Sequence, residues 1–255
     1  MQVAQLWRFP VKSMQGELVE QLELAETGAR GDRLWGLIDP EAGKVLSAKR
    51  TASLLDARAT LDDATGAVTI TLPDGRELTA GEPDADAALS DWLGRPVRLE
   101  QPHADAVAYE LLMEPTDDTS EVWDFATPPG SFVDLAAAHL LTTASLAAMA
   151  AAAPDSEWSV HRFRPTVLVD SGAADGFVED DWVGAVVQLG ASAIVAPFMA
   201  TPRCSMPPRA QAIHGLARDN AIARMLTDVH RNDLGVYGAI TSPGVVHVGD
   251  PVSVV

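Results

Sequence analysis

The chain has 255 residues, enough for one large domain or two smaller ones, each with its own core. Aspartate and glutamate number 36 against 18 lysines and arginines, a formal net charge of −18, which excludes a general nucleic-acid surface because phosphate backbones are held by clustered cations. A single cysteine excludes an internal disulfide, and no apolar run approaches the ~20 residues that cross a bilayer, so neither a membrane nor a nucleic-acid partner is expected.

The opening MQVAQLWRFPVKS lacks the basic head and long apolar run of a secretory leader, which sets the expectation of a cytoplasmic protein. Apolar and polar residues alternate over 3–9 and 18–24, predicting strands linked by 10-PVKSMQG-16. Further strands are predicted at 34–39, 57–62, 67–72 and 76–80, separated by Asp, Gly and Pro turns of the hairpin kind. Many short strands with tight turns predict a small barrel or sandwich. A helix is predicted over 84–93, stopped by Gly94.

Residues 113–130 are polar, acidic and proline-containing, which predicts a long loop or excursion between domains. A helix over 142–153, capped by Thr142 or Thr143, ends before Pro154. Strands follow at 166–170, 185–190 and 192–198, a helix at 218–229, and strands at 235–240 and 244–255. The fold class is mostly β with peripheral helices, divided near residue 100 into a β-barrel-like part over 1–100 and a second β part over 101–255.

Against the acidic background a few cations stand beside turn chemistry. Lys12 and Ser13 leave a strand through Pro10 and are expected on an exposed loop, either as an ordinary turn or as a contact for a phosphate or ring carbonyl. Arg33, after the Gly31-Asp32 turn, either pairs with a neighbouring carboxylate or reaches an anion. In 161-HRFRPTVLVD-170, read as extended, Arg162 and Arg164 share one face, as an anion clamp or as rim salt bridges. The histidines have no metal-ligand spacing.

The lone thiol, in 201-TPRCSMPPRAQ-211, is open to two readings: a small buried hydrophobe, or a reactive thiolate if the Arg203 guanidinium lies close. No C-x-x-C partner exists for a dithiol cycle or a cysteine-held iron–sulfur cluster. A Cys–His hydrolase is open only in principle, with His214 nearest in sequence.

Taken in order, 10-PVKS-13, 31-GDRLW-35, 139-HLLTTASL-146, 163-FRPTVLVD-170, 179-EDDW-182, 203-RC-204, 235-GVY-237 and 249-GD-250 span the whole chain. This set resembles MOSC-domain proteins preceded by the MOSC N-terminal β-barrel domain. Within that superfamily it is most similar to bacterial relatives of the mitochondrial amidoxime-reducing component. The resemblance implies a molybdenum cofactor (Mo-molybdopterin) between the domains, with Cys204 as catalytic residue and metal ligand. Lys12, Ser13 and Arg33 would hold the pterin and its phosphate from the barrel side, and Thr142, Thr143, Arg164, Thr166 and Arg203 from the other. It also implies reduction of small N-hydroxylated compounds with electrons from a separate iron–sulfur or cytochrome-type donor. A persulfide-carrying sulfur-transfer protein and a non-catalytic cofactor carrier are the alternatives within the same resemblance. The chain departs from its relatives at Thr166, where asparagine is common, and over 205-SMPPRAQ-211, where Arg209 and Gln211 are expected to line the altered loop.

Overall fold

The computed structural model describes residues 1–114 and 116–255. Strands account for 36% of the chain and helices for 18%, so the protein is mostly β. Its largest sheet has eight strands, in the order Val252–Val254, Val187–Leu189, Ala193–Pro202, Asp233–Ser242, Ala138–Thr142, Val167–Asp170, Gln2–Arg8 and Glu17–Val19. The first strand of the chain therefore joins the second half's sheet by pairing with Val167–Asp170. A register shift between Val3 and Gln5 lets Val3 and Leu6, which strict alternation would put on opposite faces, both enter the core that holds Leu140, Val167 and Val236. A smaller sheet, Gly244–His247 with Gln21–Ala25 and Gly28–Ala29, adds Leu22, Leu24 and Val246 to that core.

Strands Ala138–Thr142 and Val167–Asp170 are parallel, so the chain must cross over between them. The crossover carries helix Thr143–Ala152, which Thr142 caps by accepting from Ser145 N at 3.1 Å, and a short helix, Val160–Phe163. Arg164 follows that helix in the left-handed region, φ 55°. The extended reading of 161–164 is thereby corrected: residues 160–163 form a helical turn, and although Arg162 and Arg164 border the same cavity their guanidiniums have different partners.

The other half of the molecule is made of small antiparallel sheets, Arg58–Leu61 with Val68–Thr71 and Glu77–Thr79, and Gly36–Asp39 with Lys44–Val45 and Arg98–Glu100. Helix Ala85–Leu93 closes them, ending at Gly94 with φ 65° as its sequence predicts. Their side chains form a second core around Val11, Met14, Leu54, Ile70 and Leu89.

The predicted loop over 113–130 is corrected in part. Its second half is strand Val122–Ala126, which pairs antiparallel with Ala108–Leu112 to make a two-stranded ribbon; Pro115 lies outside the described residues. No described helix is long and apolar enough to cross a membrane.

Candidate functional site

The two cores meet at the segment after strand Ala193–Pro202. That strand shifts register against Asp233–Ser242 at Pro197 and again at Pro202, as expected where proline interrupts a ladder. Beyond it, Met206 packs into the core of the first half. Ser205 Oγ and Arg209 Nη2 donate to the Lys49 carbonyl at 3.3 and 2.6 Å, and Gln15 Nε2 donates to Gln211 Oε1 at 3.0 Å. Arg209 and Gln211, in the altered loop, thus fasten the two halves together and line neither of the cavities described below. Cys204, fixed by this clamp, is half-buried: it packs beside the first-half core and also borders two cavities.

The first cavity is a basic, partly open cleft of about 80 Å³. Lys12, Ser13, Arg33, Arg164, Thr166, Arg203 and Cys204 all line it. Three of these, Ser13 at φ 69°, Arg33 at φ 49° and Arg164 at φ 55°, are among only five non-glycine residues with positive φ in the described chain. Such conformations cost roughly 1–3 kcal/mol each and persist where the surroundings enforce them, so backbone strain is concentrated at this cleft.

Lys12 and Ser13 are buried, not exposed as predicted. Lys12 Nζ donates to the Phe132 carbonyl at 2.8 Å and pairs with Asp134 at 2.5 Å, while Lys49 Nζ reaches the other Asp134 oxygen at 2.8 Å. Burial drives the Lys12 ammonium below the usual lysine range. Burial would likewise push Asp134 up, but the two flanking ammoniums dominate and hold its carboxyl far below the carboxylate range. Both lysines also sit over the Tyr109 ring, at 4.8 and 4.3 Å. Ser13 Oγ accepts from Ala48 N at 2.9 Å, leaving its proton free to donate. Arg33 pairs with Asp32, which in turn accepts from Phe9 N. Thr166 Oγ1 accepts from His139 N at 3.1 Å.

Arg164 and Arg203 each bring a buried, unpartnered nitrogen to the cleft; Arg209 Nε, in the clamp outside it, is the third such arginine atom among the described residues. Burial, and then the neighbouring Arg33, pull the Arg164 guanidinium down to about 9. Its Nη1 is buried without a partner among the described residues, as is Nε of Arg203. Arg203 donates instead through Nη2 to the Phe163 carbonyl at 3.0 Å. Orphaned cationic donors on one cleft are what an absent anion would satisfy. Arg162, in contrast, spends its donors on the carbonyls of Glu157, Pro207, Arg209 and Ala217.

Thr142 and Thr143 are not brought to the cleft. Thr142 Oγ1 donates to buried Glu179 at 2.6 Å in addition to capping its helix, and Thr143 Oγ1 bonds Ser171 Oγ at 3.1 Å. Their roles are structural, a correction to the expected cofactor contacts. The cleft also holds residues that sequence reasoning passed over, among them Asp134, His139 and Tyr237. Burial and Arg203 push His139 down to about 3, so its ring is neutral. Gly235, at φ 82°, is required beside it, because a Cβ there would lie 2.4 Å from His139 Nε2. Among the described residues no cluster of three metal-ligating side chains occurs, and His214 stacks on His161 at 3.5 Å instead of meeting Cys204.

Fold and site define a two-domain β protein whose basic cleft is built beside one thiol. Residues 1–109 match the MOSC N-terminal beta barrel domain and residues 128–253 match the MOSC domain. The chain belongs to the MOSC family, named for the C-terminal domain of molybdenum cofactor sulfurase, and is a protein of that molybdenum-cofactor-associated kind. Its fold is similar to that of the YuaD protein from Bacillus subtilis, at 10% identity and a TM-score of 0.50, with 99% of this chain and 93% of that one covered. YiiM from Geobacillus stearothermophilus aligns at 15% identity and a TM-score of 0.34, over 61% of this chain and 74% of that one. No curated protein matches the chain.

Proposed function

We propose that this protein is a molybdenum-cofactor-dependent reductase of N-hydroxylated compounds that takes its electrons from a separate iron–sulfur or cytochrome-type donor. The observation that carries the reading is Cys204, a lone thiol bordering a cleft in which Arg164 Nη1 and Arg203 Nε are buried and unpaired. The donor set fits the group. Arginine forks suit a pterin phosphate, Ser13 has a free hydroxyl proton for ring or phosphate oxygens, and Cys204 offers the soft sulfur that a dithiolene-bound metal accepts. The enclosed space is small, so the fit rests on these donors and on the open mouth of the cleft.

Lys12, Ser13, Arg33, Arg164, Thr166 and Arg203 would hold the pterin and its phosphate, and Cys204 would ligate the metal. When bound, the cofactor supplies the two-electron chemistry that removes oxygen from an N–O bond. The protein supplies charge and protons. Asp134 offsets one of the two charges of Lys12 and Lys49, and Asp32 offsets Arg33, so the cleft stays net positive through the remaining lysine charge and through Arg164 and Arg203, which have no carboxylate partner among the described residues. Tyr237 lines the cleft beside Cys204, and burial raises its pKa so that Oη keeps its proton. Neutral His139 lies 3.5 Å from Arg203 Nη1 and keeps that guanidinium in place without competing for an anion.

The test is the molybdenum content of wild type and Cys204→Ala produced in a host that makes the cofactor, together with amidoxime reduction by wild type given an artificial electron donor. Loss of metal in the variant with reduction by wild type supports the reading. Equal, low metal in both, with labile sulfane sulfur on the wild type only, would replace it with the persulfide-carrier reading.

A further inference from the structure

On its other side Cys204 borders a second cavity of about 800 Å³. Asp134, Arg203, Cys204 and Tyr237 line both spaces, so the thiol stands at the junction between a basic cleft and a much larger chamber. The roof of the chamber is the ribbon of Ala108–Leu112 and Val122–Ala126. In that ribbon Tyr109 is paired with Phe125 and Leu111 with Trp123, and the period of two puts all four on one face. All four line the chamber. Trp123 and Phe125 remain 48% and 40% exposed, unusual for large aromatic side chains unless something covers them.

A two-stranded ribbon is marginal alone, and this one is held by charge. From its opposite face Glu110 and Asp124 both take Lys44 Nζ, at 3.2 and 2.8 Å. At its tip Asp118 pairs with Arg209 and Arg218, each at 2.8 Å. The ribbon is therefore clasped to both halves of the molecule, with its aromatic face directed at a space next to Cys204. Most of it also falls between the two family matches, which end at residue 109 and resume at 128. Across the chamber, helix Ala221–His230 contributes Arg224, which has no ion pair among the described residues.

From this arrangement we infer that the ribbon is the specificity-determining wall of the substrate site, and that the substrate is a bulky, flat, apolar compound with its polar reacting group at the Cys204 end. The volume lies in the range of small-molecule pockets, and the walls are apolar with a few convergent polar groups. A small hydroxylamine would leave the aromatic face wet. The inference rests on the reductase reading for what happens at the polar end, and on the ribbon alone for what binds.

The experiment is calorimetric titration of the full-length, cofactor-loaded protein with 2-naphthamidoxime, with 2-naphthamide, which has no N–O bond, and with acetamidoxime, which has no ring. Both naphthyl compounds are expected to bind at least about tenfold more tightly than acetamidoxime, and Trp123→Ser to remove about tenfold of that affinity, the size of a lost aromatic contact, while acetamidoxime is unaffected. Asp118→Asn, which weakens the tip of the clasp and leaves every wall residue unsubstituted, weakens naphthyl binding too. Equal affinity for all three compounds, or naphthyl affinity unchanged in Trp123→Ser, overturns the inference. Naphthyl binding through Trp123 without reduction of the amidoxime would sink the reductase reading and leave the chamber. Equal kcat/KM for both amidoximes, indifferent to Trp123→Ser, would do the reverse.

Discussion

Arg33 and Arg164 lie over the same phenyl ring, with guanidinium carbons 4.8 and 4.0 Å from the centroid of Phe9. Two cations converge on one face-seeking site, each on a left-handed residue at the end of a different turn, one from each half of the sequence. The ring offsets part of their mutual repulsion. The remainder is borne by Arg164, which is buried, lowered to about 9 and left with an unpaired nitrogen.

This cost has a definite sign. A base whose folded pKa is depressed destabilises the fold at every pH below that value, here below about 9, with relief only toward the ordinary value of 12.5. Arg164→Met is therefore expected to raise the Tm of cofactor-free protein by a few degrees, at ~2–4 °C per kcal/mol for a chain of this size. Inorganic phosphate should raise the wild-type Tm more than chloride does at matched ionic strength, and should have no such specific effect on the variant. Differential scanning calorimetry checks both, and a lower Tm for Arg164→Met would show that the guanidinium is stabilising as it stands.

Asp134→Asn should act in the opposite direction. It leaves Lys12 and Lys49 as neighbouring buried ammoniums without a counter-charge, and breaking a buried pair from one side costs about 3–5 kcal/mol. In wild type the depressed Asp134 pKa contributes stability that is full above the ordinary carboxylate range and is lost progressively as pH falls below that range toward the far lower folded value. Urea unfolding at pH 7 should thus show a large loss for Asp134→Asn, and the gap from wild type should narrow in acid.

His139 predicts a second acid dependence at higher pH. Its folded pKa of about 3 lies below the ordinary 6.5, so the stability from the neutral ring is complete above pH 6.5 and is lost as pH falls toward 3. Over that window the slope approaches about 1.4 kcal/mol per pH unit for one buried group. His139→Gln should flatten the slope between pH 6.5 and 4.5 in urea titrations, and an unchanged slope would assign the acid sensitivity elsewhere.

Periodicity made strands such as 57–62 and 67–72 legible, because each buries one face. It failed at Ala138–Thr142, where all five residues are buried and nothing alternates, and at Val122–Ala126, whose Trp and Phe alternate with acids in a stretch that reads as a loop. Among the site residues, Lys12, Arg33, Arg164 and Cys204 stood out as cations and a thiol beside turn chemistry, with Ser13 as a hydroxyl next to Lys12. Asp134 did not, since one aspartate among many acquires meaning only when two lysines, 122 and 85 residues away, fold onto it. The ribbon's apolar face was hidden for the same reason: a chamber is a relation between distant segments, which no local pattern encodes.

Thr142 shows the opposite error and supplies a clean control. Sequence resemblance places it at the cofactor, whereas its hydroxyl caps helix Thr143–Ala152 and donates to Glu179, a carboxylate with no exposure whose pKa burial pushes up. Thr142→Val keeps the β-branched shape and removes both bonds, at an expected cost of about 1–3 kcal/mol, the value of a lost cap plus a buried acceptor deprived of one donor. Because Thr142 lies outside the cleft, the molybdenum content of protein loaded with cofactor should match wild type when measured well below the lowered Tm. Arg164→Met tested alongside should lose metal without losing stability. If Thr142→Val also lost its metal at wild-type stability, the hydroxyl would have to reach the cofactor after all, and helix Thr143–Ala152 would have to sit differently against the cleft.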